Sequence, residues 1–200
     1  MEIRLSDLDR KGIYKLMTSV IVPRPIAWIS TISKDGIPNL APFSYYAGIS
    51  SEPPLIVVSI GRKKDGERKD TWQNIEDTGE FVINLVDYPL AEKMVITSHP
   101  FDREVNEFKE AGLTEEKSSI VKAPSVLEAP VKIECENYQI IQIGHMGLVI
   151  GKVLLVRFDD KLWNPEGYID TTKLDLVGRL GGNLYCRINK ENIFEIKKPK

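Results

Sequence analysis

Short runs of Ile, Val and Phe recur through the first half of the chain and predict β-strands. Three such runs, at 26–33, 55–60 and 81–86, are bounded by Gly, Pro, Asp or Asn. The turn sequence KDGIPN at 34–39 leads from the first run into another strand-like segment at 40–50, an arrangement typical of a β-hairpin. The first half of the chain is therefore expected to be mostly strand.

Helical signals fill the middle of the chain. The segment DTWQNIEDTGEF predicts a helix over 70–81, with Asp70 as its N-cap and Gly79 at its C-terminal stop. Two further helical regions are expected at 90–97 and 103–111, and a glycine stops the second of them.

Strands return after a connector that is rich in proline. They are expected at 131–143 and 148–158, where apolar residues are again dense. Strands, inserted helices and strands in this order argue against a doubly wound parallel sheet and favour a mainly β protein, an antiparallel barrel or sandwich decorated by helices. Because no shift in composition divides the chain, residues 1–200 are expected to form a single domain, with a disordered tail at 197–200.

Composition and charge exclude several classes of protein. Lys+Arg 27 against Asp+Glu 29 leaves a net charge of −2, so no broad field favours nucleic acid or an anionic membrane surface. No stretch reaches the roughly 18 apolar residues that a membrane helix requires, and the charged N-terminus lacks the apolar stretch of a signal peptide. A cytoplasmic protein with reduced thiols is expected.

The cysteines and histidines do not suggest a metal site. Cys135 and Cys186 lie far apart, and neither they nor His99 and His145 are paired at metal-ligand spacing. Cys135 alternates with apolar residues and is expected to belong to the core.

Two basic residues are candidates for binding an anion. Arg24 lies between two prolines in VPRPIAWIST (22–31), and the prolines hold its backbone in a rigid, extended conformation. A surface arginine at a strand entrance is the alternative. Lys69 lies at the expected start of a helix, where free N–H groups and the helix dipole favour a phosphate. Asp70 would compete for the same donors.

The segment NLAPFSYY (39–46) predicts an irregular strand. Pro42 removes one ladder donor, which confines the segment to a sheet edge or a bulge. Unpaired backbone groups at an edge are satisfied either by water or by a ligand with a planar, amide-like rim. On the preceding strand, Ser30 and Thr31 point to opposite faces, so only one of them can offer its side chain to that ligand.

Several segments together resemble a known family. PRPIAWIST, NLAPFSYY, PPLIVVSIG, KDTWQNI and GEFVINLV occur in the order and at the spacing of the flavin reductase-like, FMN-binding split-barrel family, and the chain is most similar to its flavoredoxin-type branch. Two looser matches are GHMGLVIGKV (144–153) and VGRLGGNLYC (177–186). The resemblance extends over about residues 15–195.

The resemblance implies a six-stranded antiparallel split barrel that forms a homodimer and holds one FMN per subunit near the interface. It implies that the phosphate lies near Arg24, Lys69 and Thr71 and that the isoalloxazine edge lies along the first two strands. His145 is implied to orient a nicotinamide or a substrate. The implied cofactor-binding residues are Arg24, Ser30, Thr31, Asn39, Ala41, Pro42, Phe43, Ser44, Ser59, Lys69, Thr71, Arg179 and Tyr185.

The resemblance also implies an FMN-dependent oxidoreductase. Two roles stay open, an NAD(P)H-dependent flavin reductase and an electron carrier that a redox partner protein reduces. Gly144 stands where reductases of the family carry an acidic residue, so the use of NAD(P)H is not implied as strongly as the flavin. The alternatives are a flavin-binding or sensing module without turnover and an empty barrel used for protein interaction.

Overall fold

A computed structural model describes residues 1–199 of the chain and contains four α-helices and thirteen strands in that range. The helices are α1 (Arg10–Val20), α2 (Asp70–Thr78), α3 (Ala91–Ile96) and α4 (Glu107–Glu110), and 3-10 turns cover Leu5–Asp7, Tyr88–Leu90, Asp160–Leu162 and Thr171–Lys173. The strands are β1 (Ala27–Ile32), β2 (Pro38–Phe43), β3 (Tyr46–Ser51), β4 (Pro54–Ile60), β5 (Glu80–Asn84), β6 (Glu115–Glu116), β7 (Ser125–Val126), β8 (Val131–Ile143), β9 (Met146–Phe158), β10 (Trp163–Asn164), β11 (Tyr168–Ile169), β12 (Leu176–Arg179) and β13 (Tyr185–Ile188).

One antiparallel sheet of seven strands forms the body of the protein, in the order β2-β1-β5-β8-β9-β4-β3. Its two edge strands, β2 and β3, are joined by only Ser44 and Tyr45. So short a link requires the sheet to curl until its edges meet, which closes it into a barrel. Within residues 1–199 no ladder joins β2 to β3, so the barrel is split at this junction. The predicted antiparallel split barrel is confirmed.

The prediction of one strand over 40–50 is wrong. β2 pairs with β1 as a hairpin, as expected, but β3 pairs with β4 on the opposite edge of the sheet. The division at Ser44 and Tyr45 also gives seven strands where the resemblance implied six.

The free edge of β2 has few donors left for another strand. In the register of β1 and β2, the backbone polar groups of Pro38, Leu40 and Pro42 point away from β1. The two prolines have no N–H to donate. The Leu40 N–H donates to the carboxylate of Glu107, at 3.1 Å. The edge position predicted from Pro42 is confirmed, and this edge is protected against pairing with another chain.

Alternation along β1 separates two cores. Ile29 faces the interior of the barrel, where it packs with Trp72 and Phe81. Trp28 faces the other way and packs with Phe108 and other apolar residues beneath α3 and α4. Cys135 lies in the barrel core with none of its surface exposed, as predicted.

The helices differ from the prediction in their details. Gly79 ends α2 in the left-handed conformation (φ 76°), as expected, but the N-cap is Lys69 and not Asp70. The carboxylate of Asp70 instead forms an ion pair with Lys63 at 2.9 Å. The helix expected over 103–111 is reduced to the single turn of α4.

The N-terminal helix α1 is an element that the sequence reasoning missed. Its N-cap, Asp9, accepts a hydrogen bond from the Gly12 N–H at 2.7 Å. At the other end of the chain, residues 197–199 of the tail lie in no helix or strand, and Lys200 lies outside the described residues. None of the helices within residues 1–199 has the length and apolar character that crossing a membrane requires.

Candidate functional site

Two cavities meet where the barrel is split. We call them the Lys69 lobe, of about 570 Å³, and the Arg24 lobe, of about 490 Å³. Both volumes lie in the range of small-molecule sites. The two lobes share the residues Tyr14 and Thr18 of α1 and Pro42, Phe43 and Ser44 at the end of β2.

The Lys69 lobe is lined by basic residues without any carboxylate. Its cations are Arg10, Arg62 and Lys69, although the whole chain carries a net charge of −2. Such a surface favours an anionic ligand. The remaining residues that line this lobe are Tyr14, Thr18, Pro42, Phe43, Ser44, Tyr45, Ser59, Gly61, His145 and Met146.

Lys69 is a cation without a counter-ion at the start of α2. Its ammonium lies 5.4 Å from the centroid of the Phe43 ring, and no carboxylate within residues 1–199 forms an ion pair with it. Desolvation by the surrounding protein lowers the pKa of Lys69. Asp70, expected to compete for an anion, is paired with Lys63 and does not line this lobe. Lys69 is therefore free to pair with a ligand.

Trp72 supports the floor of the Lys69 lobe. Its ring is 1% exposed, and the Arg62 guanidinium lies 5.1 Å from its centroid. Gly147 of β9 lies so close to the ring that a Cβ at this position would be 2.6 Å from an indole carbon. This close approach sets where His145 and Met146, just before Gly147, reach the rim of the lobe. The buried indole N–H of Trp72 has no acceptor among the described residues.

Arg24 forms the base of the other lobe. It is 4% exposed, and its Nη1 donates to the carbonyls of Thr18 (2.6 Å) and Ile21 (2.7 Å). Nη2 donates to the Leu180 carbonyl (3.0 Å), and Nε donates to the Ser44 hydroxyl (3.2 Å). All four acceptors are neutral. The backbone is held as well, because two hydrogen bonds join Arg24 to Arg179. The rigid, extended conformation predicted from the flanking prolines is confirmed.

The Arg24 lobe is also basic and without a carboxylate. Arg179 and Tyr185, on β12 and β13, lie on one wall and are hydrogen-bonded to each other. The remaining residues that line this lobe are Lys11, Tyr14, Lys15, Thr18, Ile26, Pro42, Phe43, Ser44, Met94, Ser98, Leu180, Gly182 and Asn183.

Comparison with known proteins identifies the family. A family model described as the flavin reductase like domain matches residues 17–173. The chain belongs to this flavin reductase-like family. The family, the split barrel and the role of a flavin-dependent oxidoreductase, which the resemblance implied, are thereby confirmed.

Individual relatives align with this flavin reductase-like protein over nearly its full length. An uncharacterized protein of Aquifex aeolicus is 43% identical over 187 residues, which cover 94% of this chain and 95% of the relative. The crystal structure of nitrilotriacetate monooxygenase component B from Bacillus cereus has a TM-score of 0.92 and 33% identity, covering 98% of each chain. That of the 2-nitrobenzoate 2-nitroreductase of Pseudomonas fluorescens has a TM-score of 0.90 and 30% identity, covering 100% of this chain and 96% of the other.

The predicted site residues of this flavin reductase-like protein divide into two groups. Nine of them line one or both lobes: Arg24, Pro42, Phe43, Ser44, Ser59, Lys69, His145, Arg179 and Tyr185. Five line neither lobe: Ser30, Thr31, Asn39, Ala41 and Thr71.

The side chains of four of these five residues are buried and hydrogen-bonded within the protein. The Asn39 amide donates to the hydroxyls of Thr31 (3.2 Å) and Thr71 (2.9 Å). The second of these hydrogen bonds joins α2 to the first hairpin. Ser30 has none of its surface exposed, and its hydroxyl accepts a hydrogen bond from Asn84 at 3.0 Å. The fifth residue, Ala41, lies opposite Ile29 in the β1–β2 ladder. These side chains stabilise the fold that holds the lobes.

The structure also separates the two cations that were expected to form one phosphate clamp. Arg24 bonds to Ser44, whereas Lys69 lies against the ring of Phe43, and each lines only its own lobe. The two cations therefore line two basic lobes that share the end of β2, and their joint binding of one phosphate stays a prediction.

Helix α1 contributes residues to the candidate site that the sequence reasoning missed. It provides five residues that line the lobes: Arg10, Lys11, Tyr14, Lys15 and Thr18. Two signals could have revealed the helix. One is an Asp at the N-cap position, and the other is the spacing of apolar residues over 13–20, typical of an amphipathic helix.

Proposed function

We propose that this chain is a single FMN-binding domain that acts as an oxidoreductase in the cytoplasm, with FMN bound in the Lys69 lobe. The observation that carries the proposal is a basic lobe without carboxylates, with the unpaired ammonium of Lys69 beside the first turn of α2. A phosphate dianion is favoured by such a combination of a full positive charge and free helix N–H groups. Arg62, whose guanidinium lies 5.1 Å from the centroid of the buried Trp72 ring, adds a second positive charge to the same lobe.

Each part of the lobe has a role in this proposal. Lys69 and Arg62 neutralise the phosphate, and the Pro42 carbonyl, which faces away from β1, accepts from the rim of the ring. Ser59 lines the pocket, and His145 at the tip of the β8–β9 hairpin orients the second reactant. When bound, FMN supplies the hydride or electron transfer, and the protein contributes binding and orientation.

The names of the relatives support a role in redox chemistry with a second component. One is called a monooxygenase component and the other a nitroreductase. We infer that NAD(P)H is the electron donor and that the acceptor is a partner protein or a small molecule. The electron-carrier role remains the second candidate.

Anaerobic mixing of the FMN-loaded protein with NADH or NADPH tests the donor. Bleaching of the flavin band by either nucleotide at a rate that rises with nucleotide concentration is expected of a reductase. Reduction by a partner redox protein alone would favour the carrier. If neither a nucleotide nor a partner redox protein reduces the bound flavin, the protein is a flavin-binding module without turnover.

Comparing FMN with riboflavin tests the position of the phosphate. The two differ only in that group, and one or two charge-assisted contacts correspond to an affinity about 10- to 100-fold higher for FMN. Equal affinities in a fluorescence titration would contradict the assignment of the Lys69 lobe. Absence of binding by both flavins would contradict the proposed function as a whole.

We also propose a homodimer, formed through the outer face of β4 and β9. Ile56, Val58 and Ile60 point into the barrel, so Val57 and Ser59 point outward. Val57 lies opposite Ile150, and Ser59 lies opposite Leu148. This half-buried apolar face continues into the Lys69 lobe through Ser59, so a second copy seated on it would close the lobe.

Charge insertion tests this interface. Ile150→Lys is expected to convert a dimer into a monomer in analytical ultracentrifugation and to weaken FMN binding. The matched control is Ile120→Lys, at an exposed apolar position (56%) that lines neither lobe. A wild-type protein that sediments as a monomer, or an Ile150→Lys variant that stays dimeric, would contradict this interface.

A further inference from the structure

We propose that the Arg24 lobe is a second ligand site, which binds a small organic anion with a flat apolar body, such as an aromatic carboxylate, beside the flavin. The proposal rests on the assignment of FMN to the Lys69 lobe. It names the class of substrate that the oxidoreductase accepts.

The first argument is the uncompensated charge of Arg24. Its guanidinium is buried, its four hydrogen-bond acceptors are neutral, and no carboxylate within residues 1–199 forms an ion pair with it. A buried charge is costly unless an opposite charge lies near it. Because a guanidinium has five N–H groups and four are used, one Nη2 hydrogen remains for a ligand. An anion in this lobe would use that donor and compensate the charge.

The second argument is the shape and composition of the walls. Tyr14 provides an aromatic surface, and Ile26, Met94 and Leu180 add apolar ones. Tyr185 also lines the lobe, with the Arg179 guanidinium 4.4 Å from the centroid of its ring. Deep in the lobe, Arg24 therefore lies among groups that suit a planar hydrocarbon body.

The mouth of the lobe favours negative charge. Lys11 and Lys15 lie one turn apart on α1, so they share a face of the helix. Both are exposed, and neither has a carboxylate partner among the described residues. No residue that lines the lobe is acidic. An anion is therefore attracted at the entrance and paired at the base.

The chemistry favours a carboxylate over a phosphate. A phosphate presents three acceptor oxygens that need several donors, whereas Arg24 has a single N–H left. Both lobes are basic, but only the Lys69 lobe adds the N-terminus of a helix, α2, which favours a dianion there. A monoanion with an apolar body matches one donor, one buried charge and aromatic walls.

Ser44 connects the proposed ligand to the flavin site. Its hydroxyl accepts from Arg24 Nε at 3.2 Å, so its own hydrogen is directed elsewhere, and Ser44 lines both lobes. A ligand in the Arg24 lobe therefore lies next to one in the Lys69 lobe, which is the arrangement that transfer between a flavin and an organic substrate requires.

Calorimetric titration of the full-length protein, with and without FMN, tests the proposal with three probes. These are benzoate, the neutral isostere benzamide, and inorganic phosphate. Benzoate is expected to bind the FMN-loaded protein and to perturb the flavin absorption band, with benzamide at least about tenfold weaker because it lacks the charge that Arg24 pairs. Phosphate is expected to bind this lobe more weakly than benzoate.

Four results with the FMN-loaded protein would overturn the proposal: no benzoate binding, equal binding of benzoate and benzamide, tighter binding of phosphate than of benzoate, or displacement of FMN by benzoate. The last result would mean that the flavin itself occupies the Arg24 lobe. Failure of the proposed function is distinguishable, because it is a failure to bind FMN in the absence of any probe.

Two variants assign the binding to this lobe. Arg24→Gln removes the charge and is expected to abolish the preference for benzoate over benzamide. Because that variant also removes buried hydrogen bonds that Arg24 makes within the protein, the double variant Lys11→Met/Lys15→Met provides a second test at exposed positions. It is expected to weaken benzoate binding several-fold, by about the effect of two screened surface charges. Lys64→Met is the matched control, since Lys64 is exposed and lines neither lobe. Unchanged benzoate affinity in both variants would refute the assignment.

Discussion

Replacement of Gly147 by alanine tests how tightly β9 is closed on α2. The added Cβ would lie 2.6, 2.7 and 2.8 Å from three carbons of the Trp72 ring, so the two groups must separate by roughly 0.8 Å to reach ordinary contact. Neither group moves freely. Trp72 is 1% exposed, and Gly147 is paired with Ile60 on one side and Gln142 on the other.

The expected cost follows from these contacts. Overpacking of a core costs about 1–3 kcal/mol, and the upper end applies because both partners are held. The smaller entropy of the unfolded chain returns about 0.4–1 kcal/mol for a glycine to alanine change. The net loss is about 2 kcal/mol, which corresponds to a fall in Tm of about 4–8 °C for a chain of this size.

Thermal unfolding followed by circular dichroism measures this loss. Gly48→Ala in β3 is the matched control, because a Cβ there meets nothing within 4 Å and the backbone is not in the left-handed region. We expect the control to unfold at the wild-type temperature or slightly above it. Equal Tm values for the two variants would refute the reasoning, since they differ chiefly in the contact with Trp72.

Three further predictions concern charges and hydrogen bonds. Lys69→Met is expected to reduce the preference for FMN over riboflavin in a fluorescence titration, because Arg62 and the N-terminus of α2 remain. Lys63→Met should retain the full preference, because that lysine is already paired and lines neither lobe. Burial raises the pKa of Glu107 to about 7, so the folded protein holds a proton that the unfolded chain releases. Stability is therefore expected to fall as pH rises from about 4.5 to 7. In thermal melts at several pH values, Glu107→Gln should reduce the change of Tm with pH over this range. Ser30→Ala is expected to cost about 1 kcal/mol by removing an acceptor of Asn84, without changing FMN affinity; a weaker FMN complex would return Ser30 to the binding site.

Local rules predicted the elements whose signals are local. The turn at 34–39 predicted the hairpin, and the alternation along β1 predicted its two faces. Pro42 predicted a sheet edge, and Gly79 predicted the end of α2. Each follows from backbone geometry within a few residues. The missed α1 belongs to the same class, because its cap and apolar spacing are readable in the sequence.

The arrangement of the predicted site residues depends on contacts between distant residues. Asn39 and Thr71 are 32 positions apart, and only the packing of α2 on the hairpin brings their side chains together at 2.9 Å. Arg24 and Lys69 were assigned to one phosphate because both are basic and rigidly presented. Their separation depends on how β2 ends between them, which no local pattern records.

The junction at Ser44 and Tyr45 explains why the split of the barrel and the functional site coincide. An uninterrupted strand over 40–50 would stay beside β1, and its backbone would be covered on that side by the ladder. The chain crosses instead to β4, where the Tyr45 carbonyl accepts a hydrogen bond from the Ser59 N–H at 2.9 Å. The sheet therefore closes, but no ladder within residues 1–199 joins its edge strands β2 and β3. Side chains from β2, α1 and the start of α2 line the resulting gap. Ser44, at the end of β2, therefore belongs both to the link that closes the barrel and to the wall that the two basic lobes share.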